Sequence, residues 1–161
     1  METIYLAGGC FWGVERFFEQ FKGVVNTEVG YANGKGNDPT YEELYKTGHV
    51  ETVRIEYDPA VISLERLLNY YFMIIDPLSA NKQGPDAGVQ YRTGIYYTSV
   101  SQLGEINKAI SRVESELGAK IAVEVGAIDN YARAEEYHQK YLDKYPGGYC
   151  HIRSNMFHLE D

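Results

Sequence analysis

A single cysteine stands inside GGCFWGVE, positions 8 to 15, between glycines and aromatics. Val14, Phe17, Phe18 and Phe21 recur at i, i+3, i+4 and i+7, and Gly23 ends the pattern, which predicts a helix beginning at or just after Cys10. A thiol there meets unpaired backbone N–H groups and the positive end of the helix dipole, both of which favour thiolate, so Cys10 is a candidate nucleophile. The competing reading is a small buried hydrophobe. Flanking glycines let the chain turn sharply and let a substrate approach, while Phe11 and Trp12 supply apolar walls or simply core packing. A carboxyl completes the set. In VETVRIEY, 50 to 57, period two puts Glu51 on the face of Val53 and Ile55, an apolar side that favours the protonated acid. A glutamate buried beside Arg or Lys is the alternative.

These groups need elements to carry them. Residues 3–7 read as a buried strand running into Gly8-Gly9, 24–32 as a second strand, 33–40 as a loop, and 50–57 as the strand bearing Glu51. Ser63 caps a helix with an apolar stripe from Leu64 to Ile75, ended by Asp76-Pro77. A polar stretch, 79–92, precedes a strand at 94–98, a helix from Leu103 to Leu117 and a strand at 120–125. A last helix is expected from Ala132 to Tyr145, with irregular coil from about 146. Interleaved strands and helices without repeats or linkers indicate one α+β or α/β layered domain over 1–161.

Composition narrows the function. The 161 residues suffice for one core without disulfides, and 15 tyrosines suggest polar tips set into apolar walls. A formal charge of −8 argues against nucleic-acid binding. With no apolar run of membrane-spanning length and no basic leader, a cytoplasmic protein that engages no membrane is expected. The two cysteines, Cys10 and Cys150, are then either reduced core thiols or a redox couple.

GGCFWGVE, followed in order by GYANG, PTYEE, TGHVE, QGPDAGVQYR and PGGYCHI, resembles the type A peptide methionine sulfoxide reductases. These blocks run from residue 8 to residue 152. The resemblance implies a two-layer α/β sandwich around a mixed, mainly antiparallel sheet, with a ferredoxin-like core and extensions. It implies that Cys10 attacks the sulfur of methionine S-sulfoxide, free or in proteins, and takes its oxygen as a sulfenic acid. Glu51 is then the acid that protonates the departing oxygen, Tyr41 and Tyr91 hydrogen-bond that oxygen, Phe11 and Trp12 hold the methyl group, and Asp86 organises the pocket. Cys150 is the resolving thiol, on a coil made mobile by Pro146, Gly147 and Gly148; the Cys10–Cys150 disulfide is recycled by thioredoxin. No cofactor or metal is implied, and a monomer is expected.

Two positions depart from the family pattern: Ile75 stands where histidine is common, and Lys82 where arginine is. Altered packing, not lost activity, is the expected consequence. Three other chemistries compete. A metal site would use Cys150, His151, His138 and His158, without the usual paired spacings; a thiol hydrolase would pair Cys10 with His49 or His138; and a peptide-binding module would use the aromatics alone.

Overall fold

The computed structural model describes residues 1–159. The chain begins with β1 (Glu2–Ala7), whose Ile4 and Leu6 face the core, and turns at Gly8-Gly9 into α1 (Phe11–Glu19). Gly9 takes φ +84°, a conformation that side chains resist. Next come β2 (Val24–Ala32), α2 (Leu44–Thr47) and β3 (Val50–Tyr57). The helix α3 (Leu64–Met73) starts where the Ser63 hydroxyl accepts the Arg66 N–H at 3.1 Å. Two short strands, β4 (Lys82–Gln83) and β5 (Asp86–Ala87), form a hairpin before β6 (Gly94–Tyr97). Then follow α4 (Leu103–Leu117), stopped by Gly118 in the left-handed region, β7 (Glu124–Ala127), β8 (Ala132–Arg133) and α5 (Tyr141–Lys144).

Among the described residues six strands form one sheet in the order β7-β6-β1-β3-β2-β8. Only β6 and β7 pair in parallel; every other neighbouring pair is antiparallel. Ile4, Leu6, Val29, Val53, Ile55 and Ile95 point from one face into a core shared with Phe17 and Phe18 of α1, Leu67, Leu68 and Tyr71 of α3, and Ile106 of α4. The result is an α+β fold with a mixed, mainly antiparallel sheet, as the family resemblance implied and as the element order allowed. Its register sets Tyr31 opposite Glu51 and Val29 opposite Val53, so Glu51 projects from the core face, beneath the head of α1.

Two predicted elements differ. The strand expected at 120–125 begins only at Glu124, because its parallel partner starts at Gly94; upstream, the Ile121 N–H goes to the Glu114 carboxylate and the Ala122 N–H to the Pro77 carbonyl. The helix expected from Ala132 to Tyr145 is broken into β8, a 3₁₀ turn over Glu136–His138 and α5. Gln139 causes the break. Its buried amide accepts the Val29 N–H and donates to the Val29 and Ala134 carbonyls, work that an intact helix would deny it, and Lys140 then turns at φ +53°.

Candidate active site

Cys10 occupies the N-cap of α1, and its side chain caps nothing. It is 7% exposed. Burial pushes its thiol pKa well up, with proximity to Glu51 adding to the rise and the Trp12 N–H opposing it. The sequence suggests a thiolate stabilised by the helix end; here desolvation outweighs the dipole. One reason is local, since the Phe11 N–H that would face the thiol is donated to Glu51 Oε1 at 3.1 Å.

Glu51 is 1% exposed, and among the described residues no Arg or Lys pairs with it. Its other oxygen, Oε2, is buried without a hydrogen-bond partner. Burial pushes this carboxyl up to about 8, against the Phe11 N–H, so the acid form prevails at neutral pH. Tyr41 opens a 3₁₀ turn after the 33–40 loop, and Tyr91 closes another just before β6. Their hydroxyls couple to each other, to Glu51 and to Cys10, and burial raises both pKa values, keeping them as phenols. Arg92 ties these pieces together by donating to the carbonyls of Gly48, Val89 and Asn33.

Asp86 on β5 interacts with Cys10, Glu51 and Cys150 and receives the Tyr149 hydroxyl. Phe11 is 1% exposed, packed against Tyr31 and His138, whereas Trp12 is half-buried and stacks on Tyr141 with centroids 3.8 Å apart. The indole N–H of Trp12 donates to His138 Nδ1 at 3.0 Å, which leaves the ring's proton on Nε2, buried and unpaired. Tyr41 leans on the same imidazole at 4.8 Å. The sequence presents His138 only as a base or metal ligand; nothing in its spacing could reveal that it backs the indole.

Both cysteines are free thiols. Cys150 lies over α1, where a Cβ on Gly13 would come within 2.7 Å of its Sγ. A Cβ on Gly9 would come within 2.9 Å of His151 Nε2, and one on Gly8 within 2.6 Å of Ile75. The glycines around Cys10 therefore make room for the protein's own side chains. Burial raises the Cys150 pKa, while the Ile152 N–H and Arg16 pull it back. Thus Cys10, Glu51, Tyr41, Tyr91, Asp86, Trp12 and Cys150 converge at one end of the sheet, with Phe11 behind them. Spacing did not reveal the places of His138 behind Trp12, His151 over Gly9 and Gly13 beneath Cys150.

A family model described as peptide methionine sulfoxide reductase matches residues 2–160. A relative named peptide methionine sulfoxide reductase MsrA, from Lachnoclostridium phytofermentans, is 52% identical over 158 residues, spanning 97% of this chain and 95% of its own. Mxr1 from Saccharomyces cerevisiae in reduced form superposes with a TM-score of 0.89 at 38% identity, over 94% of this chain and 91% of that one. Mxr1 in complex with Trx2 superposes at 0.63 with 29% identity, over 87% and 84%.

Proposed function

The chain belongs to the peptide methionine sulfoxide reductase family, an oxidoreductase acting on methionine sulfoxide, and on that premise we propose how its residues carry the reaction. Cys10 Sγ attacks the sulfoxide sulfur while Glu51 Oε2 protonates the oxygen, and the thiol proton of Cys10 returns to the carboxylate. Oxygen then passes from substrate sulfur to Cys10. The substrate sulfur is reduced by two electrons, and Cys10 is oxidised to the sulfenic acid. Tyr41 and Tyr91 donate to the oxygen as its charge grows, and Trp12, with Phe11 behind it, forms the apolar slot for the methyl. Asp86 organises this pocket. One observation supports this reading above the others: a buried, protonated carboxyl with one oxygen anchored on the helix and the other unpaired beside Cys10.

Cys150 then attacks the sulfenic sulfur: Cys10–SOH and Cys150–SH give the Cys10–Cys150 disulfide and water. Thioredoxin is the proposed reductant, a role supported by the relative solved in complex with Trx2. Single-turnover reduction of the two separated epimers tests the scheme. Expected are one methionine per chain from the S epimer and two thiols lost, with Cys150→Ser retaining the methionine but failing to recycle. Turnover of the R epimer alone, or full recycling by Cys150→Ser, overturns it.

A further inference from the structure

We infer that His151 is a positioning residue for the second half of this reaction: through the Gly8 carbonyl and Asp86 it seats the Cys150 thiol across the head of α1. The inference rests on reading Cys150 as the resolving thiol. Two consecutive residues of the C-terminal segment fill the spaces of two glycines that bracket Cys10. His151 lies on Gly9, and Cys150 lies on Gly13. The segment therefore passes over the nucleophile in a fixed register.

The imidazole is anchored at one nitrogen and faces Asp86 with the other. Its Nε2 is 3.0 Å from the Gly8 carbonyl oxygen, which can only accept, so Nε2 carries the proton. In the neutral ring Nδ1 is then a lone pair, and it faces Asp86 Oδ2 at 3.7 Å. Both atoms are buried, and neither has a hydrogen-bond partner. Two acceptors face each other across a gap that protonation of Nδ1 would convert into a charge-assisted hydrogen bond. On the other flank of Cys150 the Tyr149 hydroxyl also reaches Asp86, so this one carboxyl engages the residues on both sides of the thiol. Burial lowers the His151 pKa and Asp86 partly restores it.

The charged group acting on the ring is Asp86 from β5, and Cys10 from the head of α1 and Tyr149 and Cys150 from the ring's own segment gather about that same carboxyl. From β4 comes the uncharged Gln83, Lys82 being exposed, and α3 leads into Ile75. Arg153 shares with His151 and Ile75 the wall of a cavity of about 280 Å³.

The test separates the two steps in a single turnover with the S-sulfoxide, following methionine released and Cys10–Cys150 disulfide formed. His151→Phe keeps the ring volume and loses both polar contacts; methionine release should be unchanged, and disulfide formation should slow about tenfold, the worth of one buried hydrogen bond. His151→Gln can still donate to the Gly8 carbonyl but cannot gain a proton. It should match the unmodified protein at about pH 8 and fall behind below about pH 6.5, as the buried ring gains the proton that lets imidazolium, and not the amide, bond Asp86. Equal slowing of both steps, an unaffected disulfide step in His151→Phe, or a pH-independent ratio for His151→Gln would each overturn the inference. Disulfide-linked thiol loss persisting in Cys150→Ser would instead reject the assignment of Cys150, and this role with it.

Discussion

The Glu51 carboxyl has one oxygen engaged and one unpaired, and that asymmetry decides what it can do. Oε1 receives the Phe11 N–H, which orients the group, while Oε2 has no protein partner. Because burial raises its pKa to about 8, the group keeps its proton throughout the neutral range, and the reduction step should be flat below that value and decline above it. Glu51→Gln preserves the shape and the acceptor for Phe11 but has no acidic proton to give. Its methionine-forming step should fall by about 10²–10⁴, and the decline above pH 8 should vanish with it. Rapid-quench rates between pH 6 and 9 check this, and an undiminished rate in the Glu51→Gln protein would remove the carboxyl from the reaction. Parity along β3 made this residue legible, since alternation alone fixes which face a strand side chain joins. The state of Cys10 was not legible in the same way. Its position at a helix start could be read from spacing, but not the burial that outweighs the dipole, nor the electrostatic push of Glu51, Asp86 and Cys150 that adds to it from distant parts of the chain.

At the scale of elements, what could be read depended on whether local pattern or a distant backbone sets the conformation. β1, β2, β3 and the three long helices carry period-two or 3.6-residue apolar stripes, and they form where those stripes fall. The stretch 132–145 has helical composition yet forms an edge strand, a tight turn and one helical turn, because β2 offers an open edge and Gln139 satisfies Val29 better than a helix would. No sequence signal marks an amide as the partner of a backbone 110 residues away. Gln139→Leu fills similar volume but leaves the Val29 N–H and the Ala134 carbonyl unpaired in the interior, while the Val29 carbonyl keeps the Ala134 N–H. It should cost about 2–4 kcal/mol, read as a lower urea midpoint with an unchanged slope. A loss below about 0.5 kcal/mol would mean that water or a shifted backbone replaces the amide.

At the scale of the whole molecule, burial shifts two carboxyls and three imidazoles among the described residues toward their neutral forms, and their effects on stability oppose one another. Glu51 and Glu19 are raised to about 8, both chiefly by burial, with Glu19 also hydrogen-bonded to Asp143. For such acids the folded state keeps protons that the unfolded chain releases above about pH 4.5, so their stabilisation is complete at low pH and is lost on the way up to 8. His49, His138 and His151 are lowered by burial. The unfolded chain takes up protons at these rings at a higher pH than the folded state does, so their contribution is lost as pH falls through about 6.5. Between about pH 6.5 and 8 only the carboxyls act, and stability should decline by up to about 1.4 kcal/mol per pH unit for Glu51, with less from the partly solvated Glu19. Below that range the histidines act against the carboxyls, so the gain in stability on acidification should lessen once pH falls below about 6.5. Urea denaturation across this range provides the check. Glu51→Gln should flatten the decline toward pH 8 and, with one opposing carboxyl gone, lessen the gain on the acid side further. Stability that stays level or rises from pH 6.5 to 8 in the unmodified protein would mean that Glu51 is ionised when folded, and that its proton could not be the one that reaches the substrate oxygen.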